Sequence, residues 1–83
     1  MQVIEDRVID LIKKLFDVDE AVLSQKKNVF LTGREFQLNH LDMLVLMLNL
    51  EKCFGIKFDK DDLLDYGLAT IENITMVISK KLD

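Results

Sequence analysis

The chain contains no proline, three glycines, one cysteine and one histidine in 83 residues. Turn-rich β architectures draw on proline and glycine at regular intervals, so this scarcity favours helices. Cys53 has no second thiol to pair with, which excludes an intramolecular disulfide. Basic charge is also short: 11 Lys and Arg stand against 15 Asp and Glu, a net charge of -4. Nucleic-acid binding needs a basic face that displaces counterions, and this balance argues against it. The longest apolar block, Leu41 to Leu50, is broken by Asp42 and Asn49 and is too short to span a bilayer. Met1-Gln2-Val3-Ile4-Glu5-Asp6 lacks a basic stretch followed by an apolar core, so secretion is not expected. These absences set the expectation of a cytoplasmic protein without membrane insertion, monomeric or at most weakly dimeric.

What is present is the composition of a folded domain, 49% hydrophobic and 31% charged, with a length that suits one core over residues 1–83. From Val3 to Phe16, Ile4, Val8, Leu11, Ile12 and Leu15 recur at three- and four-residue steps. That spacing lays one apolar stripe along a helix and turns Glu5, Asp6, Asp10, Lys13 and Lys14 to water. The connection from Asp17 to Leu38 is longer than a structureless loop in a compact domain should be. Leu23, Val29 or Phe30, Leu31, Phe36 and Leu38 are expected to pin it to the core, with a short helical turn or bend near Ser24. Lys26, Lys27 and Asn28 read as a solvated tip.

Asn39 to Phe54 organises the chain as its expected central helix. Asn39 is a good N-cap, Asp42 suits the positive end of the helix dipole, and Gly55 supplies a left-handed stop. Leu41, Leu44 and Leu48, with Leu50 and Phe54, form the expected core stripe, which leaves Met43, Val45, Met47 and Cys53 on the flanks or outside. Beyond it, Ile56 and Phe58 point the same way in an extended segment, and Asp59 and Asp62 have capping-box spacing ahead of a short helix that reaches Tyr66. The run Asp59, Asp61, Asp62 lacks the glycine and closing glutamate of a calcium loop, so no metal is expected there. Thr70 caps a last helix from Ile71 to about Leu82, with Ile71, Ile74, Val77 or Ile78, and Leu82 on one face.

Little of this points to catalysis. His40 as a base, metal ligand or phosphoryl acceptor needs a second group. There is no other histidine, Asp42 faces elsewhere, and Cys53 lies about 220° around an ideal helix. His40 is expected to be a surface or partner-contact residue, and Cys53 a small packed hydrophobe at the negative end of the dipole. No catalytic residue is expected.

Glu35-Phe36-Gln37-Leu38-Asn39-His40-Leu41-Asp42, followed by Leu44, Leu46, Leu48, Leu50, Glu51 and Phe54, resembles the acyl carrier protein family around its prosthetic-group site. The family writes that spot Asp-Ser-Leu, and its serine takes a phosphopantetheine arm. Ile4-Glu5-Asp6-Arg7-Val8 resembles its opening helix, and Leu68-Ala69-Thr70-Ile71-Glu72-Asn73-Ile74 its approach to the fourth. The resemblance implies an all-α, acyl-carrier-protein-like four-helix bundle with a long first loop and a short third helix. It also implies loss of the arm, because His40 replaces the serine and neither Ser24 nor Ser79 stands before the leucine that opens the helix. No cofactor is therefore expected. Gln37 stands where carriers usually have Gly.

Carriers present acidic residues of this helix to basic partner enzymes. Asp42 and Glu51 remain from that set, while Asn39, Val45, Lys52 and Cys53 replace common acidic positions. The expected partner-facing residues are Asn39, His40, Asp42, Met43, Val45, Met47 and Glu51. The implied function is a non-catalytic interaction module docking on an enzyme of a biosynthetic or peptide-modification pathway, similar to carrier-related proteins of bacterial peptide-maturation systems. Two alternatives stand beside it: a genuine acyl or peptidyl carrier with a substituted attachment site, and a small noncovalent apolar-ligand binder.

Overall fold

The apolar stripe of the first helix does more than line one wall. In the computed structural model, which describes the backbone of residues 2–83 and the side chains of residues 3–63 and 67–83, the elements run in the order α1 (Gln2–Phe16), α2 (Glu20–Gln25), α3 (His40–Phe54), a 3-10 helix (Lys60–Tyr66) and α4 (Ile71–Leu82). Met1, at the head of the opening segment, and the Tyr66 side chain lie outside the described residues. Among the described residues every regular element is a helix, and there is no strand. Packing centres on α1, which contacts α2, α3 and α4. The sequence points to α3 as the centre because α3 is the most apolar, but α1 is the helix that the other α-helices contact, and it contributes Val8, Ile9 and Ile12 to the buried core.

Local signals account for the helix ends. Asn39 caps α3 as expected, its Oδ1 accepting the Asp42 N–H at 2.8 Å; Asp42 completes a reciprocal box by accepting the Asn39 N–H at 3.0 Å. Gly55 ends the helix at φ 66°, a conformation that costs a side-chain-bearing residue steric strain. Asp59 and Asp62 form a second box at the 3-10 helix, with N–H donation in both directions. Thr70 Oγ1 accepts the Asn73 N–H at the start of α4. On α4, Ile71, Ile74 and Ile78 are buried and Val77 is half-buried, whereas Leu82 is exposed, because the helix runs past the edge of the core.

The long connection is ordered, as its apolar residues require. Leu23, Leu31, Phe36 and Leu38 are buried and Val29 packs against them, while Phe30 is exposed. Backbone bonds strap it to the residues around the start of α4, Leu31 N–H to Ala69 O at 2.8 Å and Glu72 N–H to Lys27 O at 2.9 Å, and Leu38 N–H to Leu31 O at 3.0 Å closes it on itself. The Lys26–Asn28 tip departs from the expectation of a solvated turn. Lys27 Nζ reaches Glu5 of α1 at 3.0 Å, and Glu5 is thereby half-covered instead of facing water. Gln37 sits at φ 54°, in the left-handed region where glycine is unstrained, at a cost on the order of 1 kcal/mol.

One ion pair ties the 3-10 helix to α4. Lys81 Nζ lies 2.8 Å from Asp62 Oδ2 and 3.8 Å from Asp59 Oδ2. For Asp62, partial burial is the largest single influence and opposes ionisation. The hydrogen bonds from Lys81 and from Asp59, together with the charge of Lys81, outweigh it and hold the carboxyl below the usual aspartate range. A lowered folded-state pKa gives stability that is full above the unfolded aspartate value, about 4, and lost as pH falls through the folded value. Lys81→Met is therefore expected to be less stable than wild type at pH 7, with the gap closing below about pH 4. Urea unfolding at pH 7 and pH 3 measures it; a gap that is equal at both pH values rules the ion pair out as the cause.

Candidate functional site

The first turn of α3, where the resemblance places a modified serine, begins with His40, an exposed residue. The groups beside it are committed to folding: the Asn39 amide and the Asp42 carboxylate hold each other's backbone N–H. Asp42 therefore turns back into its own helix cap. At the other end, Glu51 is half-buried and its Oε2 accepts the Phe58 N–H at 2.8 Å, which anchors the extended segment after the helix. Two carboxylates expected to face a partner thus have structural work at the two ends of α3.

The expected core stripe of α3 holds at Leu50 and Phe54 and fails at Leu41, Leu44 and Leu48. Leu46 and Leu50 are fully buried, with Met43, Met47 and Phe54 packed half-buried against the core. Leu41, Leu44 and Leu48, expected inside, are 68%, 49% and 51% exposed, and Val45 beside them is 43% exposed. The helix carries two complete apolar stripes at helical spacing, so periodicity alone does not say which one is inside. Lys52 was the available signal. It follows Leu48 by about one turn on the same face and marks that face as outward.

The seven residues expected to meet a partner therefore divide. His40 and Val45 are exposed, Asn39 is exposed but engaged in the cap, Asp42 and Glu51 are half-buried and bonded, and Met43 and Met47 lean on the core. Leu41, Leu44 and Leu48 are the surface residues that the pattern missed. Together with Val45 they form a strip along α3, and an open groove of about 430 Å3 continues it past the helix end, lined by Leu48, Glu51, Lys52, Gly55, Ile56 and Lys57.

Cys53 is exposed, not packed. Arg7 of α1 reaches it, with Nη2 3.2 Å from the Cys53 carbonyl oxygen and 3.3 Å from Sγ, while the guanidinium lies 4.6 Å from the Phe54 ring centroid. This clamp places a cation at the negative end of α3 and fastens α3 to α1. His40 and Cys53 stand at opposite ends of the helix, about 20 Å apart along its axis, and are not brought together. Among the described residues no group of three His, Cys, Asp or Glu is placed to hold a metal ion, and no helix is long and apolar enough to cross a membrane. No protein-family model and no curated protein matches the chain.

Proposed function

We propose that the chain is a non-catalytic interaction module on an acyl-carrier-like frame, which docks through the outer face of α3 on an enzyme of a biosynthetic or peptide-modification pathway. The observation that carries this reading is the exposed strip Leu41, Leu44, Val45 and Leu48. A helix that leaves four apolar side chains in water forgoes their burial energy, and such a face suits an apolar groove on another protein. The start of the same helix supports the non-carrier half of the reading. An imidazole at position 40 offers no hydroxyl for a phosphoryl-linked arm, and the Asn39–Asp42 box occupies the adjacent polar groups.

The test is intact-mass analysis after incubation with coenzyme A and a broad-specificity phosphopantetheinyl transferase. Wild type is expected to gain nothing and His40→Ser to gain one arm, since the resemblance places the attachment serine at that position. Loading of wild type overturns the reading in favour of a carrier with a displaced attachment residue. Failure of both proteins removes the carrier-like frame from the proposal.

A further inference from the structure

The four exposed apolar side chains of α3 end on a cation. Leu41, Leu44, Val45 and Leu48 share one line of the helix, and Lys52, one turn past Leu48, lies within about 30° of that line. The groove that continues the strip has Leu48 and Ile56 for its apolar surface and a second exposed lysine, Lys57, in its lining. Among the described residues neither ammonium is in an ion pair. The carboxylates of α3 do not offset them on this line. Asp42 and Glu51 lie about 100° and 80° to either side of Leu41, each accepts a backbone N–H, and Glu51 also acts on the Lys81 ammonium. A chain of net charge -4 therefore presents its apolar face with positive charge at one end. We propose that the segment which covers this face is an acidic amphipathic helix of another protein, with its apolar stripe on Leu41, Leu44, Val45 and Leu48 and its carboxylates at Lys52 and Lys57.

Length, dipole and shape favour that occupant. From Leu41 to Lys52 the strip and its cation span about 16 Å, three turns of a facing helix. An antiparallel approach sets the N-terminal turn of the partner beside the C-terminal turn of α3. Carboxylates are stabilised in that turn by the partner's own dipole, and Lys52 and Lys57 stand opposite them. The groove is open along its length, which suits a segment held by a larger protein and gives an isolated fatty acid no enclosure. The sign is opposite to the one the family resemblance implies, in which an acidic helix meets a basic enzyme.

This inference rests on the docking reading and names the chemistry of the partner. The probes are two fluorescein-labelled amphipathic helical peptides with the same leucine stripe, one carrying a pair of glutamates in its first turn and the other a pair of lysines. Fluorescence anisotropy with the full chain at low salt is expected to show the glutamate peptide binding at least about fivefold tighter, a preference that shrinks above about 0.5 M salt. Lys52→Glu combined with Lys57→Glu, both at exposed positions, is expected to keep native helicity by circular dichroism and to reverse the preference. Because both proteins meet the same two peptides, differences in peptide helicity cancel. Leu44→Glu is expected to weaken both peptides about tenfold. Equal binding of the two peptides, or a preference that the double variant leaves in place, overturns the acidic partner while the docking face stands. Binding of neither peptide at about 1 mM, or binding that Leu44→Glu leaves unchanged, overturns the docking face with it. A two-chain mass in sedimentation without peptide, or binding to phosphatidylcholine–phosphatidylglycerol vesicles that Leu44→Glu abolishes, gives the strip another occupant and overturns the proposal.

Discussion

Leu46→Ala is expected to cost about 2–5 kcal/mol of stability, while Leu44→Ala, two positions away on the same helix, changes it by no more than about 0.5 kcal/mol. Leu46 is fully enclosed by the core cluster, so truncation removes its transfer energy and leaves a cavity that neighbouring helices fill only in part. Leu44 already spends half its surface in water. A domain of this size has a total stability on the order of 4–12 kcal/mol, so the first change removes a large share of it. Urea unfolding followed by circular dichroism measures both. Equal losses would place Leu44 in the core and invert the assignment of the two α3 faces, and with it the exposed strip.

The second large effect lies in the connection between α2 and α3. Leu31→Ala is expected to cost about 2–5 kcal/mol, comparable to a helix core residue, whereas Arg34→Ala in the same connection stays within about 0.5 kcal/mol. Leu31 is fully buried, its N–H donates to Ala69 O, and its carbonyl accepts from Leu38 N–H. Alanine keeps both backbone bonds and loses only the side chain, so the measured loss isolates packing. Amide hydrogen exchange supplies a parallel readout: Leu31 and Leu38 should exchange near the rate of global opening, not as loop amides. Fast exchange at both positions would mean that the strap opens independently of the core.

Much of the fold is legible in the residues. Val8 and Ile12 on α1 and Ile71, Ile74 and Ile78 on α4 lie on single amphipathic stripes, and the caps at Asn39, Asp59 and Thr70 fall where short polar side chains precede apolar periodicity. The outer face of α3 is not legible in the same way, because Met43, Leu46, Met47 and Leu50 repeat the spacing of Leu41, Leu44, Val45 and Leu48. Periodicity finds a stripe but carries no phase when two stripes are equally apolar. What settles the phase is tertiary: the side that meets α1 goes inside. The Glu5–Lys27 pair and the Arg7 clamp on Cys53 were invisible for a related reason, since each joins elements whose mutual position no local pattern encodes. Thr75 shows the reverse situation. It reads as a polar interruption in α4, yet it is buried because its hydroxyl donates to the Ile71 carbonyl at 2.8 Å within its own helix.

The central place of α1 bears on the order of events when the chain folds. Its contacts with α4 join the first and last α-helices, and the strap from the long connection closes onto the residues that lead into α4. Loop closure over such separations is an entropic cost that comes before most of the contacts that offset it. Until α4 arrives, Val8, Ile9 and Ile12 lack their main partner surface, and Leu31 lacks the carbonyl that receives its N–H. Partial assemblies therefore gain little, and the chain should collapse and order in a single step with no populated halfway form.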